Sequence, residues 1–363
     1  DPGTTLRSWT DTLKTLRHLK SLPLVIAAAF TAPAPLLAQE PASPANRSTF
    51  SIMFENDLFV NRDQQYTNGV QLNWLSSDLN HYAEAHRLPD WLLPFVRKIP
   101  LINEPGRLHN VGFSIGQKIF TPENTQSSEL VADDRPYAGW LYGALGFTSK
   151  TVGVKDLFEI QFGVVGPAAQ AEEAQNFIHD LRGLPSTRGW SHQLRNEPAF
   201  TALYERKWRP LRSKNATGFG YDVITHAGAA LGTVHTYANA GLETRFGFNL
   251  PGDFGTSAIR PGGTSNAPAT VDDPRLRSTR AYGAYLFVAV SGRLVGRDIF
   301  LDGNTFRDSH SVNKEVVVGD LIVGGSLIFR RYKLSYAQYF RSREFTQQDK
   351  NNNFGSISLS VTF

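Results

Sequence analysis

The chain has 363 residues, with 37 Lys and Arg against 33 Asp and Glu, and it contains no cysteine. Disulfides, thiol catalysis and Cys-ligated metals are therefore excluded, and a charge balance this even, with no concentrated basic patch, argues against a nucleic-acid partner. The length suits one large all-β domain, although length alone also permits two or three smaller ones.

The first element in chain order is an export signal over residues 1–38. Arg7, Lys14, Arg17 and Lys20 make its basic start, an apolar stretch runs from Leu22 to Ala29, and Pro35-Leu36-Leu37-Ala38 ahead of Gln39 suits cleavage after Ala38. Pro23, Pro33 and Pro35 interrupt the run, which is too short for a membrane anchor. A periplasmic tail, 39–48, leads into the main domain, 49–363.

Within that domain no stretch reaches the roughly 18 consecutive apolar residues of a spanning helix. Apolar residues instead alternate with small or polar ones, the pattern of half-buried strands. Twelve strands are predicted, at 50–56, 67–77, 108–120, 137–149, 154–165, 197–208, 218–230, 237–249, 280–299, 315–329, 332–345 and 354–363. The last is the clearest: Ile357, Leu359, Val361 and Phe363 share one face, and Ser356, Ser358, Ser360 and Thr362 the other. Alternation cannot say which face is inside, but a terminal Phe resembles the closing strand of outer-membrane barrels. An even number of strands fits a single-chain transmembrane antiparallel β-barrel in the bacterial outer membrane, expected to be a monomer. Tyr66, Trp74, Tyr137, Trp140, Trp208 and Tyr237, near strand ends, are predicted to form interfacial girdles. Two connections are too long for periplasmic turns. Residues 78–107 are predicted to lie as an amphipathic segment on the inner rim, and 250–279, rich in Gly, Pro, Ser and Thr, to be flexible.

With a periplasmic N-terminus, the odd-numbered connections face outward, at about 57–66, 121–136, 166–196, 231–236, 300–314 and 346–353. Three polar clusters fall in or beside the first three. Glu55-Asn56-Asp57, Asp63 and Tyr66-Thr67-Asn68-Gly69 gather hard oxygen donors of the kind that hold Ca²⁺. Ordinary hairpin loops use the same residues, and that reading is preferred for Asp63, Asn68 and Gly69. Strict alternation sets Asn56 and Thr67 on opposite faces, so both serve one site only if the rim is bulged. In the second cluster, Asp133-Asp134-Arg135, the arginine is read first as an exposed ion pair, and otherwise as a fork for phosphate.

The third loop is predicted to carry a short helix, with Pro167 at its start, Glu172 and Glu173 early, Arg182 late and Gly183 past the end. Ala171, Ala174, Ile178 and Leu181 form an apolar stripe for docking on the wall, and Glu172, Gln175 and His179 the adjacent stripe. That places His179 where a general base beside a lipid groove would sit, although a lone loop histidine is ordinarily solvated or capped. No nucleophile elbow, His-Glu-x-x-His or P-loop is present (the string Gly112-Phe113-Ser114-Ile115-Gly116 falls inside the predicted strand 108–120, not at a strand-to-helix turn), so water activated by His with a cation as electrophile fits better than a serine nucleophile.

Taken in order, Glu55-Asn56-Asp57-x-Phe59, Tyr66-Thr67-Asn68-Gly69, Gln117-x-x-x-Thr121-Pro122, Asp134-Arg135-Pro136-Tyr137-Ala138-Gly139-Trp140, Gly166-Pro167 and Gln175-Asn176-x-x-His179 resemble the outer-membrane lipid A 3′-O-deacylase family over residues 49–363. The resemblance implies a twelve-stranded barrel with its site at the level of the outer leaflet, between the wall and the loop helix. It implies Ca²⁺-dependent hydrolysis of the 3′ acyl ester of lipid A in lipopolysaccharide, with His179 activating water and the ion polarising the carbonyl. Asn56, Asp57 and Thr67 match the family's site residues and metal ligands on the first hairpin, and Gln175 the one on the helix. Two positions depart from the family. Its carboxylate six residues after the histidine is here Pro185, with Asp180, Glu173 and Glu197 as possible substitutes, and a lysine of the second loop aligns near Ser127, leaving substrate contact to Arg135. Competing readings are a phospholipid acyl hydrolase using the same His and calcium, and a passive channel or structural barrel plugged by the helix.

Overall fold

A computed structural model describes residues 47–57, 65–85, 88–259, 267–277 and 281–363; the expected signal and Asp63 lie outside them. Twelve strands among the described residues close into an antiparallel barrel, each paired with its chain neighbour and the last with the first. They are β1 (Thr49–Asn56), β2 (Gln65–Leu75), β3 (Leu108–Thr121), β4 (Ala138–Lys150), β5 (Val154–Val165), β6 (Glu197–Lys214), β7 (Phe219–Gly232), β8 (His235–Phe248), β9 (Tyr282–Asp298), β10 (Val317–Phe329), β11 (Tyr332–Arg341) and β12 (Asn352–Thr362). Pairing of β1 with β12 runs from Thr49↔Thr362 to Asn56↔Gly355 and leaves no sheet edge.

The faces sort as a membrane requires. In β12, Ser356, Ser358, Ser360 and Thr362 are buried in the lumen, while Leu359 points outward with Ile52, Leu72, Ile115, Phe162, Leu286 and Leu334 from other strands. This apolar belt meets lipid, and closure satisfies the backbone that lipid cannot. No helix among the described residues is long and apolar enough to cross a membrane. β6 extends six residues beyond its predicted end. A register shift between Trp208 and Leu211 accommodates Pro210, which has no N–H to give to a ladder.

The girdle expectation fails for four of its six aromatics. Tyr66 and Trp140 belong to the interior cluster with Phe120, Tyr142, Tyr285 and Phe354, Tyr237 packs with Leu157 and Leu203, and Tyr137 lies under the third outer loop beside Trp190. A twelve-strand lumen is narrow enough for aromatic rings to fill it. Trp74 alternates onto the outer face and stacks on Phe113.

Residues 78–85 and 88–107 pack against the barrel wall at the end where β2 finishes and β3 begins. Leu79, Tyr82, Leu88, Val96 and Ile102 pack on Val111 and Phe147 of the wall, and Trp91 and Phe95 are left exposed. In the second long connection the described residues, 250–259 and 267–277, depart from the expectation of flexibility. Residues Leu250, Asp253, Phe254, Ser257 and Ile259, with Asp273 and Arg275, are buried inside the barrel. Asp253 is the hub, ion-paired to Arg245 (2.5 Å), Lys333 (2.7 Å) and Arg275 (3.0 Å). Glycine and proline here serve a path through a crowded lumen rather than a mobile loop. The segment climbs until the Ile259 amide donates to Glu55 near the outer end of β1 (2.7 Å).

Candidate functional site

A single row of residues crosses the end of the barrel at which β1 finishes and β2 begins. Asn56 pairs with Asn68, Asn68 with Ile119 and Ile119 with Gly139, and the Gly166 amide donates to the Gly139 carbonyl (3.0 Å). Alternation puts Asn56, Asn68, Ile119 and Gly139 on the outward side, in phase with Ile52, Val70, Ile115 and Leu141. The irregular rim demanded by the sequence is present. The β2–β3 register jumps from Tyr66↔Phe120 to Asn68↔Ile119, so Thr67 is the extra residue of a bulge. The bulge re-phases the strand: Tyr66 turns into the lumen, whereas strict alternation would place it outside with Asn68.

Against the Ile119–Gly139 end of this row packs the loop helix, α1 (Ala171–Arg182). It starts from Gln170, whose φ of 54° is left-handed, and stops at Gly183, φ 67°, where the Leu184 amide returns to the His179 carbonyl. Gln117 anchors the start, donating through Nε2 to the carbonyls of Ala169 (2.7 Å) and Gln170 (3.3 Å). Ala171 and Ala174 pack with Ile119, Tyr137 and Trp190. The docking face is rotated from the expected one. Ala171, Gln175 and His179 are the buried stripe, while Leu181 is 74% and Phe177 66% exposed. Small alanines at the N-terminal end bring the axis close to the wall, and the polar stripe rather than Leu181 then turns inward.

Gly139 makes that approach possible. A Cβ there would stand 2.4 Å from Cβ of Ala171 and 3.1 Å from that of Ala169. Gly139→Val is therefore expected to lift α1 from the wall and lower activity at least about tenfold, with the barrel still folded. Cleavage of α1 by protease in intact cells measures the displacement, and wild-type resistance would refute it.

Both polar residues of the stripe are oriented by fixed partners. His179 Nδ1 lies 2.7 Å from the Pro185 carbonyl. A carbonyl only accepts, so Nδ1 carries the proton and Nε2 the basic lone pair. Trp190 Nε1, donor only, gives its hydrogen to Gln175 Oε1 (3.1 Å) and to Thr187 Oγ1 (2.9 Å). This settles the amide orientation and leaves Gln175 Nε2, buried and without a hydrogen bond, as an available donor. At the other end of the row, Asn56 and Asp57 are buried, as is Asn68, whose Oδ1 makes no hydrogen bond.

The barrel has a counterpart in known proteins. The family model described as "Outer membrane protein LpxR" matches residues 24–363. This chain belongs to the LpxR family. LpxR from Salmonella typhimurium is similar in structure, with a TM-score of 0.67 at 19% identity over 87% of this chain and 100% of that one. The β domain of the Bordetella autotransporter BrkA matches over 87% and 98% at 8% identity, with a TM-score of only 0.40. No curated protein sequence matches the chain.

Family residues that differ in this chain find a structural answer. Where the family pattern has a carboxylate, Pro185 supplies its main-chain carbonyl to the same imidazole. None of the three substitutes takes that place: Asp180 and Glu173 are exposed, and Glu197 accepts from the amides of Thr305 (3.0 Å) and Phe306 (3.4 Å). Ser127, at the lysine position, bonds the Glu129 main chain.

Arg135 is not where a phosphate grip requires it, nor is it an exposed ion pair. It is 1% exposed, pairs with Glu344 (3.4 Å) and lies over the rings of Phe120 and Phe345 inside the mouth. Burial would raise the Glu344 carboxyl, but Arg341, Arg135 and Arg293 outweigh it and hold it at about 2. The remainder of its motif is architectural: Asp134 caps the Glu123 amide, Tyr137 supports Trp190, and Trp140 stacks on Tyr142 in the lumen.

No group of three or more His, Asp or Glu among the described residues is placed to hold a metal. The donors available on the row are amide and carboxylate oxygens, and the buried, unbonded Asn68 Oδ1 is one of them. That set fits a hard cation such as Ca²⁺ rather than zinc. Asn68, Trp190 and the Pro185 carbonyl were missed as site residues in the sequence. Only Asn68 left a signal there, as a member of the Tyr66-Thr67-Asn68-Gly69 motif.

Proposed function

We propose that this protein is an outer-membrane lipid A deacylase that hydrolyses the 3′ acyl ester with His179 as general base. The observation that carries the reading is the buried His179, its tautomer set by Pro185, on a helix docked on the barrel wall at Ile119 and Gly139. From Gly139 to Asn56 is three strand spacings, about 14 Å. Eight residues of helix, from Ala171 to His179, span about 12 Å. A helix that starts over Gly139 is therefore long enough for His179 to reach Asn68, two strands away.

In the reaction, Nε2 of His179 takes a proton from water as the water oxygen bonds to the acyl carbonyl carbon. The tetrahedral adduct then expels the sugar 3′ oxygen, which recovers that proton from the imidazolium. Products are a 3′-hydroxyl lipid A and the free acyloxyacyl acid. Gln175 Nε2, held by Trp190, is the protein donor for the developing oxyanion. Asn56, Asp57 and Thr67, joined by Asn68, would hold Ca²⁺, which when bound supplies further polarisation of the carbonyl. The row stands at the outward end of a lipid-facing wall, so substrate reaches it from the outer leaflet. The buried lumenal segment argues against a passive pore.

Mass spectrometry of lipid A from cells expressing the protein is the test. The expected result is loss of one acyloxyacyl unit, abolished when isolated membranes are assayed with a calcium chelator. Unchanged lipid A with fatty acid released from phospholipids would replace this reading with a phospholipid hydrolase. Conductance without hydrolysis would replace it with a channel.

A further inference from the structure

The wall that carries the rim row has an opposite face, and there Glu55 and Tyr66 are locked together. Glu55 is buried in the lumen and its carboxylate is fully engaged. Oε2 accepts from the Tyr66 hydroxyl (2.9 Å), and Oε1 from the Ile259 amide (2.7 Å) and the Ser356 hydroxyl (3.4 Å). The Tyr66 ring is held between Phe120 (5.3 Å) and Phe354 (5.1 Å). Its hydroxyl occupies the space over Gly69, where a Cβ would stand 2.1 Å away. Glu55 and Gly69 are each one step in sequence from the rim row, and Tyr66 adjoins the bulge beside it. Glu55 precedes Asn56, Gly69 follows Asn68, and Tyr66 precedes the bulged Thr67. Successive strand residues point to opposite faces, so fixing the inner one fixes the outer one.

We propose that Glu55 and Tyr66 are positioning residues for the outward site, clamping the bulge from inside the barrel, and that the lumenal segment braces the clamp through Ile259. A bulge adds an unpaired residue and local twist to a strand. Without a fixed Tyr66, the extra residue can slide along β2 and carry Asn68 out of phase with Asn56. The third role belongs to Gly69, which must lack a side chain for Tyr66 to reach Glu55. The clamp also explains why a periplasmic connection should cross the whole lumen to donate one amide hydrogen bond. This inference rests on the deacylase reading of the outward site.

The variants are Tyr66→Phe, Gly69→Ala, their combination, and Glu55→Gln as the conservative change, all in full-length protein refolded in detergent. Acyl release from purified lipid A gives kcat and KM. Thermal unfolding against CaCl₂ gives the concentration for half of the calcium-induced rise in Tm. Tyr66→Phe is expected to lower kcat about tenfold, the scale of one charge-assisted hydrogen bond, with KM within about twofold. The half-saturating CaCl₂ should rise at least about fivefold. Gly69→Ala should behave alike, and should add nothing in the Tyr66→Phe background, where the hydroxyl it strikes is gone. Glu55→Gln, which keeps one acceptor oxygen, should fall between wild type and Tyr66→Phe.

A purely structural role would lower Tm in all variants while leaving the half-saturating CaCl₂ and kcat unchanged, and that result overturns the proposal. Additive losses in the double variant overturn it as well. If the wild-type protein itself releases no acyl chain, the deacylase reading falls and the clamp falls with it. An active wild type with unaffected variants removes the clamp alone.

Discussion

His179→Ala is expected to reduce acyl release by about 10³-fold or more, the upper part of the range for loss of a general base, with the barrel intact. The residue sits on α1, outside the β-ladders, so heat-modified migration of the folded barrel in gels should be unchanged. His179→Asn sharpens the test. Its side-chain amide can still donate to the Pro185 carbonyl, so the loop keeps its anchor while the base is gone, and the loss should match that of alanine. Pro185→Ala is the counterpart. The imidazole contacts the main-chain oxygen of Pro185, which alanine retains, so activity should stay within about tenfold of wild type. A wild-type rate in His179→Asn would remove the imidazole from the chemistry. A complete loss in Pro185→Ala would show that the ring of Pro185, and not its carbonyl, is what matters.

How far the sequence foretold this arrangement depended on the length scale of each interaction. Strand alternation is local, and the twelve predicted segments agree with the observed ones except at ends such as β6, where a bulge carries the strand past Pro210. The loop helix was legible from Pro167, its early acids and Gly183. Its facing was not, because the rotation of α1 is decided by Gly139, 32 positions before Ala171, through a Cβ that is absent. The need for a bulge at Thr67 could be read from the parity conflict with Asn56. The aromatics were misread because rings at strand ends look the same in sequence whether they meet lipid headgroups or fill a narrow lumen. Arg135 failed for a related reason. A fork beside two aspartates suggests phosphate, but its partner, Glu344, lies 209 residues away in the chain. Composition misled most at 250–279, where Gly, Pro, Ser and Thr are compatible with either a mobile loop or a chain threaded among packed side chains. Only the cations of the lumen wall decide between them.

Those cations make Asp253 the position of largest expected effect on stability. Burial would raise its carboxyl, but Lys333, Arg245 and Arg275 outweigh burial and hold it well below the ordinary carboxylate range. Asp253→Asn leaves a buried cluster with one negative charge fewer, and breaking a buried pair from one side costs about 3–5 kcal/mol. The expected result is a lower unfolding temperature, with the segment more open to protease from the periplasmic side. The pH dependence follows from the direction of the shift. A carboxyl whose folded pKa is depressed contributes stability above its unfolded value, about 3.9, and loses it as pH falls toward the folded value. The gap between wild type and Asp253→Asn should thus be constant from neutral pH to about 5 and shrink below about 4. Adding Lys333→Met, which removes one of the three cations, should restore part of the loss. A gap that is unchanged in the double variant would mean that Asp253 holds the lumenal segment through its main chain, where Arg209 and Arg245 already bond its carbonyl, and not through its charge.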